Sequence, residues 1–300
     1  MGSYTFIINP MAGKGRGKRL LGILNQEIHN KFPDAEIILT QRRMHAFEIA
    51  SERKNDEGRI VVAVGGDGTV NEVGNGLMEG KALMSVIPIG SGNDFVKMFE
   101  IPTDIHKAIE KIDGGTVRDS DAGYVTIKTS DGSDVKRYFM NGIGIGFDAA
   151  VANQTTKFKH LRGVSLYAFS VAVVLFNYKT PNMLMSMNGA SMNGEHFLIA
   201  VGNGKCAGGG FYLTPDAQID DGLLDVCLVD NISVPQVVKI FPRVMKGTHK
   251  DHSKVHFYRT TALRVESQQD IMLHADGEVL ATKAKEIEIS IVPKALKVLA

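Results

Sequence analysis

The chain has 300 residues, long for one domain and comfortable for two. Its 44% hydrophobic and 22% charged content is ordinary for a globular protein. A net charge of +1 excludes a global field that would draw the chain to nucleic acid or anionic lipid.

In chain order, residues 4–8 read as a first strand that runs straight into a loop, so no secretory leader is expected. Phe6 argues against a myristoylation signal at Gly2. The loop, Asn9-Pro10-Met11-Ala12-Gly13-Lys14-Gly15-Arg16-Gly17-Lys18, is glycine-rich and basic. It is not a Walker A loop, because Arg19 stands where Ser or Thr is needed, and it is not G-x-G-x-x-G. A mobile surface loop and a phosphate-binding loop both fit it. A helix is predicted over 17–32, a strand over 35–40 and a helix over 46–55.

The run 60–64 is apolar and β-branched, the pattern of a buried parallel strand. Gly65-Gly66-Asp67-Gly68 follows, and then a predicted helix over 69–78. Glycines there permit positive φ and close approach of a ligand to the backbone. Free amides and the positive helix end suit an anion such as phosphate. The carboxylate of Asp67 suits either water on a bound metal ion or a substrate hydroxyl. Glu72 either reaches the site or complements the helix dipole, and the second is favoured. A strand over 85–89 leads into Gly90-Ser91-Gly92-Asn93. This βαβα rhythm predicts a parallel sheet with helices on both faces. Ligands on such sheets bind outside the carboxyl ends of the strands. Residues 9–13, Thr40, 65–69 and 90–93 all fall at that edge.

After residue 122 short β-rich runs dominate, at 124–128, 136–146, 183–188, 196–202, 223–229, 261–265, 271–275 and 286–292. Asp131-Gly132, Asn188-Gly189, Asn193-Gly194 and Asp276-Gly277 are turn signals between them. The pattern predicts an antiparallel sandwich. Helical insertions are expected over 163–177 and after Val234. The longest apolar run, 167–176 broken by Ser170, is half of the roughly 20 residues that span a bilayer. Lys157 to Arg162 is basic and the following 164–176 is apolar, which suits a membrane-surface helix or a core helix with a basic entry. Cys206 and Cys227 have neither metal-ligand spacing nor disulfide density, which predicts a cytoplasmic setting. As bare residues, Asp121 is a turn acid, Asp220-Asp221-Gly222 a β-turn, Asp276-Gly277 a hairpin tip and His274 a packing residue.

Five segments in order resemble the diacylglycerol kinase catalytic family, lipid kinases related to sphingosine kinases. They are 8–13 (INPMAG), 65–73 (GGDGTVNEV), 88–95 (PIGSGNDF), 215–226 (PDAQIDDGLLDV) and 275–278 (ADGE). A GGDG turn alone is shared with NAD kinases and resembles that of phosphofructokinases. The resemblance implies an NAD-kinase-like α/β nucleotide domain over 1–122 and a β-sandwich lipid domain over 123–293, with 294–300 returning to the first. It implies ATP and Mg²⁺. ATP is expected at Asn9, Pro10, Met11, Ala12, Gly13, Thr40, Gly65, Gly66, Asp67, Gly68, Thr69, Val70, Asn71, Glu72, Ser91 and Asn93. A structural Mg²⁺ is expected on Asp221 with the carbonyls of Gln218 and Leu223, and Asp121 is expected to organise water near the nucleotide's metal. Asp276 is the expected general base and Glu278 its acidic neighbour.

The expected reaction is transfer of the γ-phosphoryl group to the hydroxyl of a diacylglycerol-like lipid, in a cleft between the domains. The expected partner is a lipid at a membrane surface, bound peripherally and reversibly, with no nucleic acid. A homodimer stays open. An NAD-kinase-like enzyme on a soluble substrate is the alternative, disfavoured by segments 215–226 and 275–278. A non-catalytic sensor finds no support, because every expected acid is present.

Overall fold

A computed structural model describes residues 3–158 and 163–300. Lys159 and Arg162, the second half of the basic entry to the predicted membrane-surface helix, lie outside the described residues. The chain forms two compact units, Met1–Ala122 with Pro293–Ala300, and Gly123–Val292.

The first unit is α/β. It runs β1 (Ser3–Ile8), α1 (Ala12–Lys31), β2 (Glu36–Leu39), α2 (His45–Arg53), β3 (Arg59–Gly65), α3 (Asp67–Leu77), β4 (Leu83–Pro88), α4 (Asp94–Met98), α5 (Ile105–Gly114) and the start of β5 (Val117–Thr129). β1 lies between β2 and β3, β3 pairs with β4, and all of these pairs are parallel. The returning end of the chain pairs in parallel with β4 through Val298 and Met84. Val61, Val62, Ala63 and Val64 are fully buried, as a strand covered on both faces requires. Two helices of this unit were not expected from the sequence. α5 does carry a signal: Asp104 caps it by accepting the Lys107 N–H, and Ile105, Ala108, Ile109 and Ile112 are buried at helical spacing. α4 has only five residues, too few to show a period.

α1 starts irregularly. Gly13, Lys14 and Gly15 have φ of 58°, 58° and 84°, so regular helix begins only beyond them, near the predicted residue 17. A Cβ on Gly13 would lie 2.5 Å from the Ile89 carbonyl oxygen, so only glycine fits this loop.

The second unit is β-rich. After β5 come β6 (Asp134–Phe139), β7 (Gly142–Gly146), α6 (Phe147–Thr155), α7 (Gly163–Leu175), β8 (Asn182–Met187), β9 (Ala190–Gly202), β10 (Leu224–Asp230), α8 (Val234–Val244), β11 (Val255–Thr260), β12 (Ala262–Ala275) and β13 (Glu278–Leu299). The pairs β5–β6, β7–β9, β7–β12, β8–β9, β8–β12, β9–β10, β10–β11 and β12–β13 are antiparallel. β8 and β7 each join β9 to β12, so hydrogen bonding closes a ring of strands around an apolar core that includes Ile145, Met185, Ile199 and Leu273. α6, α7 and α8 pack a second apolar cluster against the outer side of β9 and β10. The Asn188-Gly189 and Asp276-Gly277 hairpins have positive φ at both residues, as the two-residue turn needs. The expected turn at Asn193-Gly194 is not one. Both residues lie inside β9, where Leu184 and Met183 of β8 pair with them, so strand pairing overrides the local turn signal.

Candidate active site

In the first unit the glycine turns approach closely. A Cβ on Gly90 would lie 2.5 Å from the Cα of Gly66, and one on Gly65 would strike the Thr69 side chain at 2.4 Å. Asp67 opens α3, and its two carboxylate oxygens accept the N–H groups of Asp94 at 2.7 Å and Asn93 at 2.8 Å. Asn93 is left-handed at φ 53°, and its side-chain amide donates to the Gly90 carbonyl. Burial raises the Asp67 pKa, and the charge of Asp94 adds to the effect, against the pull of the N–H donors. Asn9 Nδ2 donates to Thr69 Oγ1 at 2.9 Å, tying the first loop to α3, while Asn9 Oδ1 accepts the Met11 N–H. Asn9, Gly66, Asp67, Thr69, Gly90 and Asn93 are therefore brought together.

The other expected nucleotide residues divide. Pro10, Met11, Ala12 and Gly13 form the neighbouring loop, with the Met11 side chain exposed. The Thr40 N–H extends the β1–β2 ladder by donating to the Ile8 carbonyl. Gly68 has open space beside its Cα, and Ser91 is exposed. Val70 and Asn71 are buried on α3. The Glu72 carboxylate accepts the N–H groups of Met44 and Ala46 at 3.0 and 3.2 Å, so it caps α2. The side chain of Asp121 is buried and accepts the Lys294 N–H at 2.7 Å, which fastens the returning end of the chain.

In the second unit Asp276 sits at φ 47° in the turn between β12 and β13. Its carboxylate accepts three backbone N–H groups: Met140 at 2.8 Å, Asn141 at 2.8 Å and Gly142 at 3.0 Å. Its own N–H donates to the Gly142 carbonyl. Glu278 is half-buried and pairs with Arg137 of β6 at 3.3 Å. His274 is buried, and its Nε2 lies 2.8 Å from Asp148 Oδ2 on the first turn of α6. Sequence reasoning passed over His274 as packing and missed Asp148 and Arg137. The one signal was Gly142-Ile-Gly-Ile-Gly146, a strand with glycine at alternate positions, which leaves room for larger groups on one face.

Asp221 accepts the Leu223 N–H at 3.1 Å and the Arg259 guanidinium at 2.8 Å. Arg259 also pairs with Asp225 at 3.3 Å. The guanidinium already supplies the positive charge that the expected structural metal would bring. Asp221 would have to give up Arg259 to join the backbone carbonyls of Gln218 and Leu223 on that metal. Among the described residues no cluster of three or more His, Cys, Asp or Glu is placed to hold one. Cys227, fully buried, has its thiol pushed up to about 12, which rules it out as a nucleophile near neutral pH.

Residues 3–125 match the diacylglycerol kinase catalytic domain, and residues 141–300 match the YegS C-terminal NAD kinase beta sandwich-like domain. The chain is 29% identical over 275 residues to a diacylglycerol kinase of Staphylococcus saprophyticus, covering 91% of this chain and 87% of that one. A diacylglycerol kinase of Staphylococcus aureus is 29% identical over 275 residues, covering 91% and 84%. The fold is similar to a crystal structure of a diacylglycerol kinase from Bacillus anthracis, with a TM-score of 0.72, 21% identity and coverage of 99% and 96%. It is also similar to yeast NADH kinase complexed with NADH, with a TM-score of 0.52, 12% identity and coverage of 99% and 83%. The two family models follow one another in chain order and together span the α/β unit and the β-rich unit, and the chain belongs to the diacylglycerol kinase family of phosphotransferases.

Proposed function

We propose that this kinase transfers the γ-phosphoryl group of ATP to the free hydroxyl of diacylglycerol or a similar lipid alcohol, giving phosphatidic acid or its analogue. One observation carries the lipid half of this reading. The second unit contains an apolar pocket walled by side chains such as Phe147, Val171, Phe197, Ile240 and Phe241. Among the described residues, Asp148 and His249 are the only ionisable groups on its wall, and such a predominantly apolar lining is typical of small-molecule sites. Such a pocket suits an acyl chain and offers nothing to a nucleotide or a sugar.

The nucleotide half rests on the first unit. Backbone amides at 65–69 and 90–92, with the N-terminus of α3, suit the phosphates of ATP. Mg²⁺, when bound with ATP, supplies charge neutralisation, and Asp67 would hold water on it. On the acceptor side, the Asp276 carboxylate is occupied by three amide donors and anchors the turn. Glu278, half-buried beside Arg137, is the better proton acceptor. An alcohol has a high pKa, so the carboxylate takes its proton late in the transfer.

Contact with a lipid surface is part of this proposal. Phe169 of α7, Phe176 just beyond it, and Val234 and Val238 of α8 are exposed apolar side chains on or beside the helices that cover the pocket. Among the described residues no helix is long and apolar enough to cross a membrane. Incubation of a cell lipid extract with labelled ATP, followed by identification of the product, tests the reading. A labelled phospholipid monoester is expected. Label appearing only on NAD or another soluble acceptor would overturn it.

A further inference from the structure

Strand β7 is held at both ends by the hairpin that carries the Asp276-Gly277-Glu278 turn. At its start, the amides of Met140, Asn141 and Gly142 donate to Asp276. Along its length, Ile143, Gly144 and Ile145 pair with Ala275, His274 and Leu273 of β12. Just past its end, Asp148 of α6 returns to His274. The strand makes room for this return. A Cβ on Gly144 would lie 2.2 Å from Asp148 Oδ2 and 2.5 Å from His274 Nε2.

Burying such a pair is costly unless the structure uses it. Both side chains are at most 10% exposed, and His274 Nδ1 has no partner among the described residues. A buried polar atom left without a partner calls for an explanation. The groups facing the imidazole are few. α6 contributes Asp148 and the turn contributes Asp276. β7 contributes only glycine and isoleucine, and β13 places Val279 opposite His274 in the ladder. Lys205 and Thr214 line the small cavity that Asp148 and His274 border, and His249 lines the apolar pocket that Asp148 also borders.

We propose that His274 is a positioning residue for phosphoryl transfer: as an imidazolium bound to Asp148 and in the field of the Asp276 carboxylate, it sets the height of the hairpin tip against β7 and hence the place of Glu278. This rests on the reading of that turn as the acceptor-activating site. The chemistry is consistent with a charged imidazole. Burial opposes the charge, but Asp148's charge and hydrogen bond, with the charge of Asp276, outweigh it and raise the pKa. A folded-state value raised above the unfolded one means that the pair's contribution is complete below the unfolded pKa and is lost as pH rises through the folded one.

The test joins a spectrum to a rate. Histidine-labelled protein is titrated by NMR as wild type, Asp148→Asn and Asp276→Asn. The kcat for lipid phosphorylation is measured against pH for wild type, His274→Gln and Asp148→Asn. The His274 imidazole is expected to titrate above the ordinary histidine value in the wild type and lower in both aspartate variants. The wild-type kcat should fall on the order of tenfold to a hundredfold as that imidazole loses its proton, since small misplacements of a reacting group cost that much. His274→Gln should remove this alkaline limb, and Asp148→Asn should move it to lower pH. A purely structural pair would lower the rate equally at every pH and leave the limb in place, which overturns the proposal. So does a wild-type His274 that titrates at or below the ordinary value. If His274→Gln does not fold, the wild-type titration and Asp148→Asn decide. If the wild type phosphorylates no lipid, the lipid reading fails, and the NMR arm still decides whether the charged pair exists.

Discussion

Asp67 of the first unit and Asp276 of the second each sit in a glycine turn at the end of a strand, and each accepts backbone N–H groups from a neighbouring loop. Their electrostatic settings differ. Asp67 is buried beside a second carboxylate, Asp94, and both effects disfavour its charge. Asp276 has three donors and the imidazole of His274 two residues away. A carboxylate whose charge is poorly compensated gains most when a cation arrives, which suits the unit proposed to take Mg²⁺ with ATP. A carboxylate compensated within the fold holds a turn rigid, which suits the unit proposed to place an acceptor hydroxyl.

The largest expected effect probes the second turn. Glu278→Gln should lower kcat by ~10²–10⁴ with the melting temperature almost unchanged, because it removes a proton acceptor and little packing. Asp276→Asn should lower both, since an amide cannot accept from three N–H groups and turns its own donors toward them. Measuring kcat and melting temperature for both variants separates base from anchor. Loss of rate without loss of stability in Asp276→Asn, with Glu278→Gln still active, would exchange the two roles.

Asp67→Asn should nearly abolish turnover and cost little stability. The folded pKa is raised, so the stabilising contribution of Asp67 is complete below its unfolded pKa and is lost as pH rises through the folded value. At neutral pH its charge therefore opposes the fold, and asparagine removes that charge. The variant should melt at or above the wild-type temperature at pH 7, and the difference should shrink in acid. A large destabilisation at pH 7 would show that the two N–H bonds outweigh the buried charge.

Gly144→Ala should act on the second unit alone. Its Cβ would collide with the Asp148–His274 pair, at a cost of about 1–3 kcal/mol. A fall in kcat for lipid phosphorylation together with a lower melting temperature is expected, with nucleotide affinity unchanged. Weakened ATP binding would mean that the two turns are coupled.

The smallest effect should come from Asp221→Ala. Arg259 keeps its pairing with Asp225, so the loss should be within about 1 kcal/mol and kcat should not change. Thermal melts with and without Mg²⁺ check this. A Mg²⁺-dependent rise in the wild type that Asp221→Ala removes would restore the expected structural metal.

The sequence by itself determined the strand–turn–helix unit around Asp67 and the row of loops at the carboxyl edge of the parallel sheet. These depend on contiguous residues: an apolar run, glycines that permit the turn, and a helix start whose amides are free. The regular alternation of strands and helices then puts successive loops on one edge without help from distant contacts. Tertiary structure decided what each acid does. Glu72 caps a helix whose N–H groups lie 28 and 26 residues away in sequence. Asp121 holds a backbone 173 residues away. Asp276 holds amides more than 130 residues before it, and Asp221 has Arg259 where a metal was expected. The reason is that an aspartate or glutamate announces only an acceptor. Which donor meets it, and whether burial leaves the charge compensated, is settled by packing between segments that are remote in the chain, and so is the turn at Asn193-Gly194 that strand pairing with β8 erased.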